Sequence, residues 1–342
     1  MSAVARFELP ARLEAHEPPE ARGLARDEVR MLVAERGSGL LADARVVDLP
    51  DVLAPDDLLV INTSATLPAA FPARRADGTP VQVHVSTPLP GSPHRLVELR
   101  RDGEPFRGGR AGERLALPDG GTATLIARYV SGCRLWVAEL RLPGALEAYL
   151  ARHGRPIRYR HVPEEWPLSA YQTVYALEPG SAEMPSAGRP LSERVLTALV
   201  ARGVAVAPIV LHAGVSSLED GEAPGPEWFR VPPATARLVG VTRAGRGRVI
   251  AVGTTVVRAL ETTVGEDGAV APGEGWTTLV VTPERGVHAV DGLLTGWHEP
   301  ESSHLKLLRA VGGRDLVERS YEEALRRGHL WHEFGDVHLI LP

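Results

Sequence analysis

The stretch between residues 71 and 142 limits the choice of fold more than any other part of the chain. Short runs in which apolar and polar residues alternate follow one another here, separated by turns rich in glycine and proline. The alternating runs are Val81–Val85, Arg95–Leu99, Thr122–Ile126 and Leu135–Leu140. Alternation with a period of two is typical of strands that bury one face, and series of such strands form antiparallel sandwiches or barrels. We therefore predict an all-β unit over residues 70–144.

The sequence on either side of this unit predicts a different architecture. Apolar runs that indicate buried strands alternate with segments that have the spacing of helices. The expected strands are Leu58–Ile61, Val204–Leu211, Arg248–Val252, Leu279–Val281 and Val337–Ile340, and the expected helices are Leu191–Arg202, Val256–Val264 and Arg314–Arg327. Alternation of strand and helix favours an α/β fold. We predict an α/β main domain with a mixed sheet, over residues 1–69 and 145–342, which carries the β unit as an inserted, barrel-like domain.

Composition excludes several classes of protein. The chain has 342 residues with a net charge of −5, whereas surfaces that coat nucleic acid usually need a clear positive excess. Its single cysteine, Cys133, excludes an intrachain disulfide and a cysteine-based zinc ribbon. The N-terminus has no apolar signal region, and the best apolar run, Val204–Leu211, is short and contains Pro208. We expect a soluble, cytoplasmic protein without a membrane span.

Two polar segments follow predicted strands, which is where α/β sheets bind ligands. Gly253-Thr254-Thr255 lies between a strand and a helix, where free backbone N–H groups favour a carboxylate or a phosphate. An ordinary capped helix start explains the same residues about as well. His212 follows the strand that ends at Leu211, and the alternative for it is a hydrogen-bonded structural histidine. Both segments are candidates for a small-molecule site.

Other polar residues give weaker evidence for a functional site. His298 and His304 flank an acidic segment, but their spacing fits no known ligand pattern, so we expect no metal. Asp291 precedes Gly292 and suits the capping of a turn. The arginines of residues 152–160 favour a solvated face over a phosphate site. Serine hydrolysis has no support, because the chain lacks a Gly-x-Ser-x-Gly elbow around its candidate serines.

Seven short motifs occur in the same order as the motifs of one enzyme family. They are Tyr171–Ala176, Pro185–Gly188, Leu211–Gly214, Val252–Glu261, Val290–Thr295, His298–Ser302 and Gly335–Asp336. One such motif is weak evidence, but seven in register are specific for homology. The chain resembles the S-adenosylmethionine:tRNA ribosyltransferase-isomerases of queuosine biosynthesis over nearly its whole length.

The resemblance implies a fold and a reaction. The fold is a mixed α/β body with an inserted all-β barrel, in agreement with the patterns above. The reaction transfers and isomerises the ribosyl part of S-adenosylmethionine onto 7-aminomethyl-7-deazaguanine in tRNA, and it releases adenine and methionine. S-adenosylmethionine is then a co-substrate, and no metal is required. We expect a monomer that contacts no membrane, while the net charge of −5 argues mildly against binding of tRNA.

By the same resemblance, we assign roles to residues of the matching motifs. His212 is the candidate for proton transfer, with Asp291 or Glu261 orienting it or a substrate hydroxyl. Arg258 is the candidate partner of a ligand carboxylate or phosphate, and Tyr171, Gln172 and Tyr175 are candidates for stacking on or hydrogen-bonding a base. The predicted substrate-binding residues are Tyr171, Gln172, Thr173, Tyr175, Ser186, Ala187, Gly188, Gly214, Gly253, Thr254, Thr255, Arg258, Thr295, His298 and Ser302.

The chain departs from the family's motifs at positions that matter for chemistry. An Asn-Asp-Thr-Arg turn is here Asn62-Thr63-Ser64-Ala65, and a motif histidine is replaced by Pro190, which cannot act as acid, base or donor. A His-x-Met-His-x-Glu pattern becomes Glu222 to Glu227, with Gly225 at the second histidine, and keeps only the last acid. Three interpretations stay open: the tRNA reaction, use of S-adenosylmethionine with another acceptor or as a lyase, and non-catalytic binding of a small molecule on the same fold.

Overall fold

The computed structural model describes residues 7–130, 134–215, 225–299 and 304–342. Within these ranges the strands are β1 Arg30–Glu35, β2 Leu41–Arg45, β3 Leu58–Asn62, β4 Ser64–Thr66, β5 Ala70–Arg74, β6 Pro80–Pro88, β7 Arg95–Arg101, β8 Glu104–Pro105, β9 Arg114–Ala116, β10 Thr122–Arg128, β11 Leu135–Arg141, β12 Glu178–Ser181, β13 Ala205–Leu211, β14 Glu227–Val231, β15 Val249–Val252, β16 Gly273–Thr277, β17 Gly292–Gly296 and β18 Val337–Leu341. The α-helices are α1 Leu49–Val52, α2 Leu146–His153, α3 Glu193–Ala201, α4 Pro233–Ala244, α5 Thr254–Thr262, α6 His304–Gly312 and α7 Arg314–Arg327.

The larger sheet is mixed and lies between two layers of helices. Its strand order is β16-β14-β13-β3-β15-β17-β18-β1-β2. The central strands β13, β3, β15 and β17 are parallel neighbours, whereas β14, β16 and β18 join through antiparallel pairings. Helices α4 to α7 contribute to the core on one face, and α1 and α3 to the core on the other. Cover on both faces explains why β3 is buried along its whole length and shows no polar alternation. The predicted mixed α/β body is confirmed.

The helices begin and end close to the predicted residues. The Ser192 hydroxyl caps α3 by accepting a hydrogen bond from the N–H of Val195 at 3.3 Å. Helix α7 ends at Gly328, whose φ of 70° is the left-handed conformation that favours glycine. Helix α5 begins at Thr254, two residues before the predicted start, directly after the turn at Gly253. No helix in the described ranges is long and apolar enough to cross a membrane.

The inserted strands form a closed barrel. Strands β11, β10, β9, β5, β6 and β7 are hydrogen-bonded in that order, and β11 also pairs with β7 to close the ring. Closure removes the free edges that an open sheet of this size would have. Its interior is filled by buried apolar side chains, among them Val83, Leu99, Leu115, Leu125 and Trp136. The sequence left a sandwich or a barrel open, and the structure has the barrel. The division of the chain into domains at residues 70 and 144 stays a prediction.

One predicted strand is wrong. Leu279–Val281 is irregular, and the edge strand lies earlier in the chain, where Gly273–Thr277 pairs with β14. A segment with two glycines has low strand propensity, so pairing with its neighbour, and not local preference, decides its conformation. Leu279 instead accepts a hydrogen bond from Arg258 Nε at 3.0 Å, while Val281 is buried in the main core.

Candidate active site

Three parallel strands in the middle of the main sheet end at the same edge. Strands β13, β3 and β15 are direct neighbours in that order, and their last residues are Leu211, Asn62 and Val252. Polar residues that follow these ends are Ser64, His212, Thr254 and Thr255. Ligands of open α/β sheets bind at the carboxyl ends of the strands. This edge is the candidate active site.

His212 is held firmly at this edge. Its Nδ1 lies 2.8 Å from Ser64 Oγ, and its ring stacks on Trp228 with 5.2 Å between the ring centroids. Gly180 lies so close to the ring that a Cβ atom there would be 2.4 Å from two imidazole atoms. Burial is the largest influence on the pKa of His212 and lowers it, so this imidazole is neutral at pH 7.

Asn62 joins the strand ends, and sequence reasoning missed its role. Its Oδ1 accepts hydrogen bonds from the N–H groups of Ser64 at 3.1 Å and Leu211 at 3.0 Å. Its Nδ2 donates to Leu211 O at 2.9 Å and to Thr255 Oγ1 at 3.3 Å. These four bonds satisfy the amide and connect β3, β13 and the start of α5. The signal in the sequence is an asparagine directly after four apolar strand residues, which fits an ordinary turn equally well.

The turn before α5 and the turn at Ser186–Gly188 lie side by side. Gly253 has a φ of 91°, which favours glycine, and its N–H donates to Leu294 O at 2.8 Å. A Cβ atom on Gly253 would lie 3.5 Å from the Cβ atom of Ala187. Tyr175 belongs to the same group, because its hydroxyl donates to the carbonyl of Gly188 at 3.4 Å. These predicted binding residues are therefore brought together beside the strand ends.

The segment from Tyr171 to Thr173 lies beside strand β4. The Gln172 amide accepts the N–H of Thr66 at 2.9 Å and donates to Thr66 O at 2.8 Å, so it holds the backbone of β4. Gln172 also lines the cavity described below, so its hydrogen bond to a base stays a prediction. The Tyr171 ring packs on Phe334 with 5.1 Å between centroids, and Thr173 is buried as well.

A cavity of about 870 Å³ lies between the barrel and this segment. Phe71 and Gln82 line it from the barrel, and Tyr171 lines it from the main domain. Arg155 and Glu165 also line it and form an ion pair with each other. Its volume falls in the range of sites that bind small molecules and cofactors.

Arg258 has a partner within the protein. Its Nη1 forms an ion pair with Glu227, whose other carboxylate oxygen accepts the N–H of Gly214 at 2.9 Å. The Nε of Arg258 donates to Leu279 O at 3.0 Å. Its Nη2 is buried without a hydrogen-bond partner among the described residues, so the pairing of Arg258 with a ligand carboxylate or phosphate stays a prediction. Arg258 and Glu227 together hold the Gly214 segment that follows His212.

Asp291 lies at the opposite edge of the main sheet. Its Oδ2 accepts the N–H of Val249, the first residue of β15, at 2.8 Å. Val249 is level with Ala205 of β13, since both pair with Leu58. His212 comes seven residues after Ala205, about 23 Å further along at the usual strand rise. This distance corrects the prediction that Asp291 orients His212.

Glu261 is a buried carboxylate with structural partners. It accepts the N–H groups of His288 at 2.6 Å and Ala289 at 2.8 Å, and it pairs with Arg285 Nη1 at 2.6 Å. These bonds join α5 to the loop that precedes β17. Both carboxylate oxygens are engaged there, which corrects the prediction that Glu261 orients His212.

Replacing Glu261 by glutamine is expected to lower the free energy of unfolding by about 3 kcal/mol. The amide keeps an oxygen on the two backbone N–H groups, but it leaves Arg285 without its counter-charge and turns an N–H donor toward the guanidinium. Urea denaturation measures the difference. Glu323→Gln is the control, because Glu323 forms surface ion pairs with Arg326 and Arg327, which contribute little to stability. Equal urea midpoints for Glu261→Gln and the wild type would contradict this role.

Strand β17 ends at the same edge and adds two predicted residues. Thr295 Oγ1 lies 2.9 Å from His298 Nε2, and the His298 ring stacks on His304 with 4.5 Å between centroids. Burial, together with His304, holds the pKa of His298 well below its usual value. Ser302 lies outside the described residues. No group of three or more histidine, cysteine or acidic residues in the described ranges is placed to hold a metal ion.

The whole chain matches one protein family. The sequence model described as "Queuosine biosynthesis protein" matches residues 4–340. The chain belongs to this family. Relatives named S-adenosylmethionine:tRNA ribosyltransferase-isomerase, from Symbiobacterium thermophilum and Anaeromyxobacter dehalogenans, are 37% and 38% identical over 98% of this chain, and the matches cover 98% and 97% of their own lengths.

A solved structure supports the same assignment. The crystal structure of S-adenosylmethionine tRNA ribosyltransferase from Thermotoga maritima is 26% identical to this chain and covers 98% of it, with 99% of its own length matched and a TM-score of 0.54. The resemblance found in the seven motifs is thus confirmed. The names of these relatives give no support to a lyase, a non-tRNA acceptor or a non-catalytic role.

Several positions at which this family member departs from the motifs lie near the site. The Thr63 hydroxyl donates to a carbonyl of β13 at 3.2 Å and so joins β3 to β13. Ala65 lines the cavity, and Pro190 is buried in the turn before α3. Gly225 lies where a Cβ atom would be 2.8 Å from a leucine of the barrel. Glu222 lies outside the described residues.

Proposed function

We propose that this chain transfers and isomerises the ribosyl group of S-adenosylmethionine onto 7-aminomethyl-7-deazaguanine in tRNA, releasing adenine and methionine. The observation that carries the proposal is the shared name of relatives that are 37% and 38% identical over 98% of the chain. The polar groups at the carboxyl edge of β13, β3 and β15 support it, because they persist despite the motif departures. S-adenosylmethionine takes part as co-substrate.

The carboxyl edge contains groups that suit this reaction. A sulfonium makes the adjacent 5′ carbon acidic, so the reaction needs groups that exchange protons with the substrate. His212, the predicted proton-transfer residue, lies at this edge. The free N–H groups of Thr254 and Thr255, at the start of the nine-residue helix α5, favour an anionic or hydroxylated part of the ligand.

We place the acceptor nucleoside in the cavity between the barrel and the main domain. Trp166 lines it and offers an aromatic ring of the kind that stacks on unpaired RNA bases. Arg158 also lines it, within the basic stretch of residues 152–160, and its charge favours a nearby phosphate backbone, whereas Arg155 is paired with Glu165. This arrangement supports tRNA as the acceptor despite the net charge of −5.

We further propose a cytoplasmic monomer with two domains. A tRNA substrate is consistent with the cytoplasm. The barrel strands lie within the proposed inserted domain, residues 70–144, and the main sheet is built from residues on either side of it.

One incubation tests the proposed function. Purified protein is mixed with S-adenosylmethionine and tRNA that carries the deazaguanine precursor, and adenine and methionine are measured by chromatography. We expect both products only with this tRNA, together with a heavier modified nucleoside. A tRNA with guanine at the same position is the control. Release without tRNA would indicate a lyase or another acceptor, and binding of S-adenosylmethionine without release would indicate a non-catalytic protein.

A further inference from the structure

Three polar groups and the His212 ring form a buried chain of hydrogen bonds. The N–H of Ala213 donates to Ser181 Oγ at 3.0 Å. Ser181 Oγ lies 2.6 Å from Ser64 Oγ, which in turn lies 2.8 Å from His212 Nδ1. The two serines are fully enclosed, with 0% and 1% of their surfaces exposed. The hydroxyl groups therefore bond to protein atoms and not to bulk water.

Only one direction of donation satisfies every group in this chain. A backbone N–H can only donate, so Ser181 accepts from Ala213 and keeps one proton to donate. Among the described residues its remaining partner is Ser64 Oγ, which then uses its own proton on His212 Nδ1. The reverse direction would leave the Ser181 proton buried without an acceptor, an arrangement that folded proteins avoid. A neutral imidazole has a single proton, and it therefore resides on Nε2.

We propose that Ser64 and Ser181 hold His212 in its Nε2–H tautomer, so that His212 donates a hydrogen bond to the bound substrate and is not the base that removes a carbon proton. The proposal rests on the proposed function and names the role of one residue in it. The two serines are positioning residues, since they act through the imidazole. The ligand atom that meets Nε2–H is an oxygen or nitrogen with a free lone pair, as the ribosyl group and adenine both provide.

Packing prevents a 180° flip of the His212 imidazole ring. Trp228 stacks on the ring, and Gly180 lies where a Cβ atom would be 2.4 Å away. A half-turn of the ring would place a C–H group against Ser64 Oγ and deprive that hydroxyl of its acceptor. The charged groups that act on the ring, Glu178 and Arg230, form an ion pair with each other. Burial then keeps the imidazole neutral at pH 7.

Nitrogen NMR of protein labelled in histidine tests the tautomer directly, without any need for activity. At pH 7.5 we expect His212 Nδ1 to give the signal of a nitrogen without a proton and Nε2 the signal of a protonated one. Loss of the signals in His212→Ala assigns them. A protonated Nδ1 in the wild type would overturn the proposal.

Removal of one hydroxyl tests the positioning role. In Ser64→Ala we expect signals from both tautomers, and unchanged signals would show that Ser64 does not hold the ring. Ser320→Ala is the matched control, because Ser320 is 0% exposed and its hydroxyl donates to Leu316 O at 2.7 Å within α7. That variant is expected to leave the His212 signals unchanged.

Kinetic measurements distinguish the two possible roles of His212, a hydrogen-bond donor or a general base. A glutamine amide places an N–H near the position of Nε2, whereas an asparagine amide places one near Nδ1. A donor role predicts that His212→Gln is at least about tenfold faster than His212→Asn in adenine release, while equal loss in both would overturn it. Ser64→Ala is expected to lower kcat about tenfold without changing the KM for S-adenosylmethionine. If the wild type releases no adenine, the proposed function fails, but NMR still decides the tautomer.

Discussion

Replacement of His212 by alanine is expected to slow adenine release by about 10²- to 10³-fold, the range found when one positioned hydrogen-bond donor is removed from an active site. The imidazole is lost from the carboxyl edge of β13, while Ser64 and Ser181 still bond to each other. We expect the fold to persist, because His212 is only half-buried and its backbone N–H still donates to Trp228 O at 2.9 Å. Initial rates at saturating S-adenosylmethionine and tRNA measure the effect, and circular dichroism checks the fold.

The control for this substitution is His288→Ala. His288 is exposed, and its contact with Glu261 runs through the backbone N–H, which alanine keeps. Adenine release by this variant is expected to equal that of the wild type. A His212→Ala protein that turns over at the wild-type rate would remove His212 from the mechanism and would favour its interpretation as a structural histidine.

Three buried histidines, His84, His304 and His338, are together expected to lower the free energy of unfolding by about 6 kcal/mol between pH 7.5 and pH 5. Burial lowers the pKa of His84 to about 3, that of His304 to about 4 and that of His338 to about 3. Each is neutral in the folded chain but gains a proton near pH 6.5 once unfolded, so acid favours the unfolded state. The stability that these groups provide is present above pH 6.5. It is lost as the pH falls toward their pKa values in the folded chain, at about 1.4 kcal/mol per pH unit for each group.

His338 is the best single test of this acid sensitivity. Its ring is 0% exposed and stacks on Trp297 with 4.7 Å between centroids, and among the described residues neither of its nitrogens has a hydrogen-bond partner. His338→Phe keeps the stacked ring and removes the group that would gain a proton. We expect it to recover about 2 kcal/mol of the loss at pH 5, as measured by urea denaturation at both pH values.

The exposed His288 again provides the control. His288→Phe is expected to leave the difference between pH 5 and pH 7.5 unchanged. His161 acts in the opposite direction, because its hydrogen bond with Glu333 raises its pKa and so stabilises the folded chain in acid. Equal acid sensitivity of His338→Phe and the wild type would show that His338 titrates as it does in the unfolded chain.

Site residues that depend on local turn geometry were predictable from the sequence. Gly253, Thr254 and Thr255 follow a strand and precede a helix, and His212 follows a strand, so their position at one sheet edge required only the strand directions. Asp291 and Glu261 were misplaced because proximity to a motif does not fix the edge or the partner of a carboxylate. Asp291 precedes its strand and therefore lies at the amino edge, while Glu261 faces the loop before β17.

Most of the strands and helices follow from the sequence alone, because apolar periodicity and turn residues act over a few neighbouring positions. The sequence also determined the family, since seven motifs stand in register. Which side chains meet depends instead on how the strands pack against one another. Ser64 is separated from Ser181 by 117 positions and from His212 by 148. The three side chains touch because the small sheet of β4 and β12 lies beside the carboxyl ends of β3 and β13. Strand order and register depend on how the whole sheet packs, which no local pattern encodes.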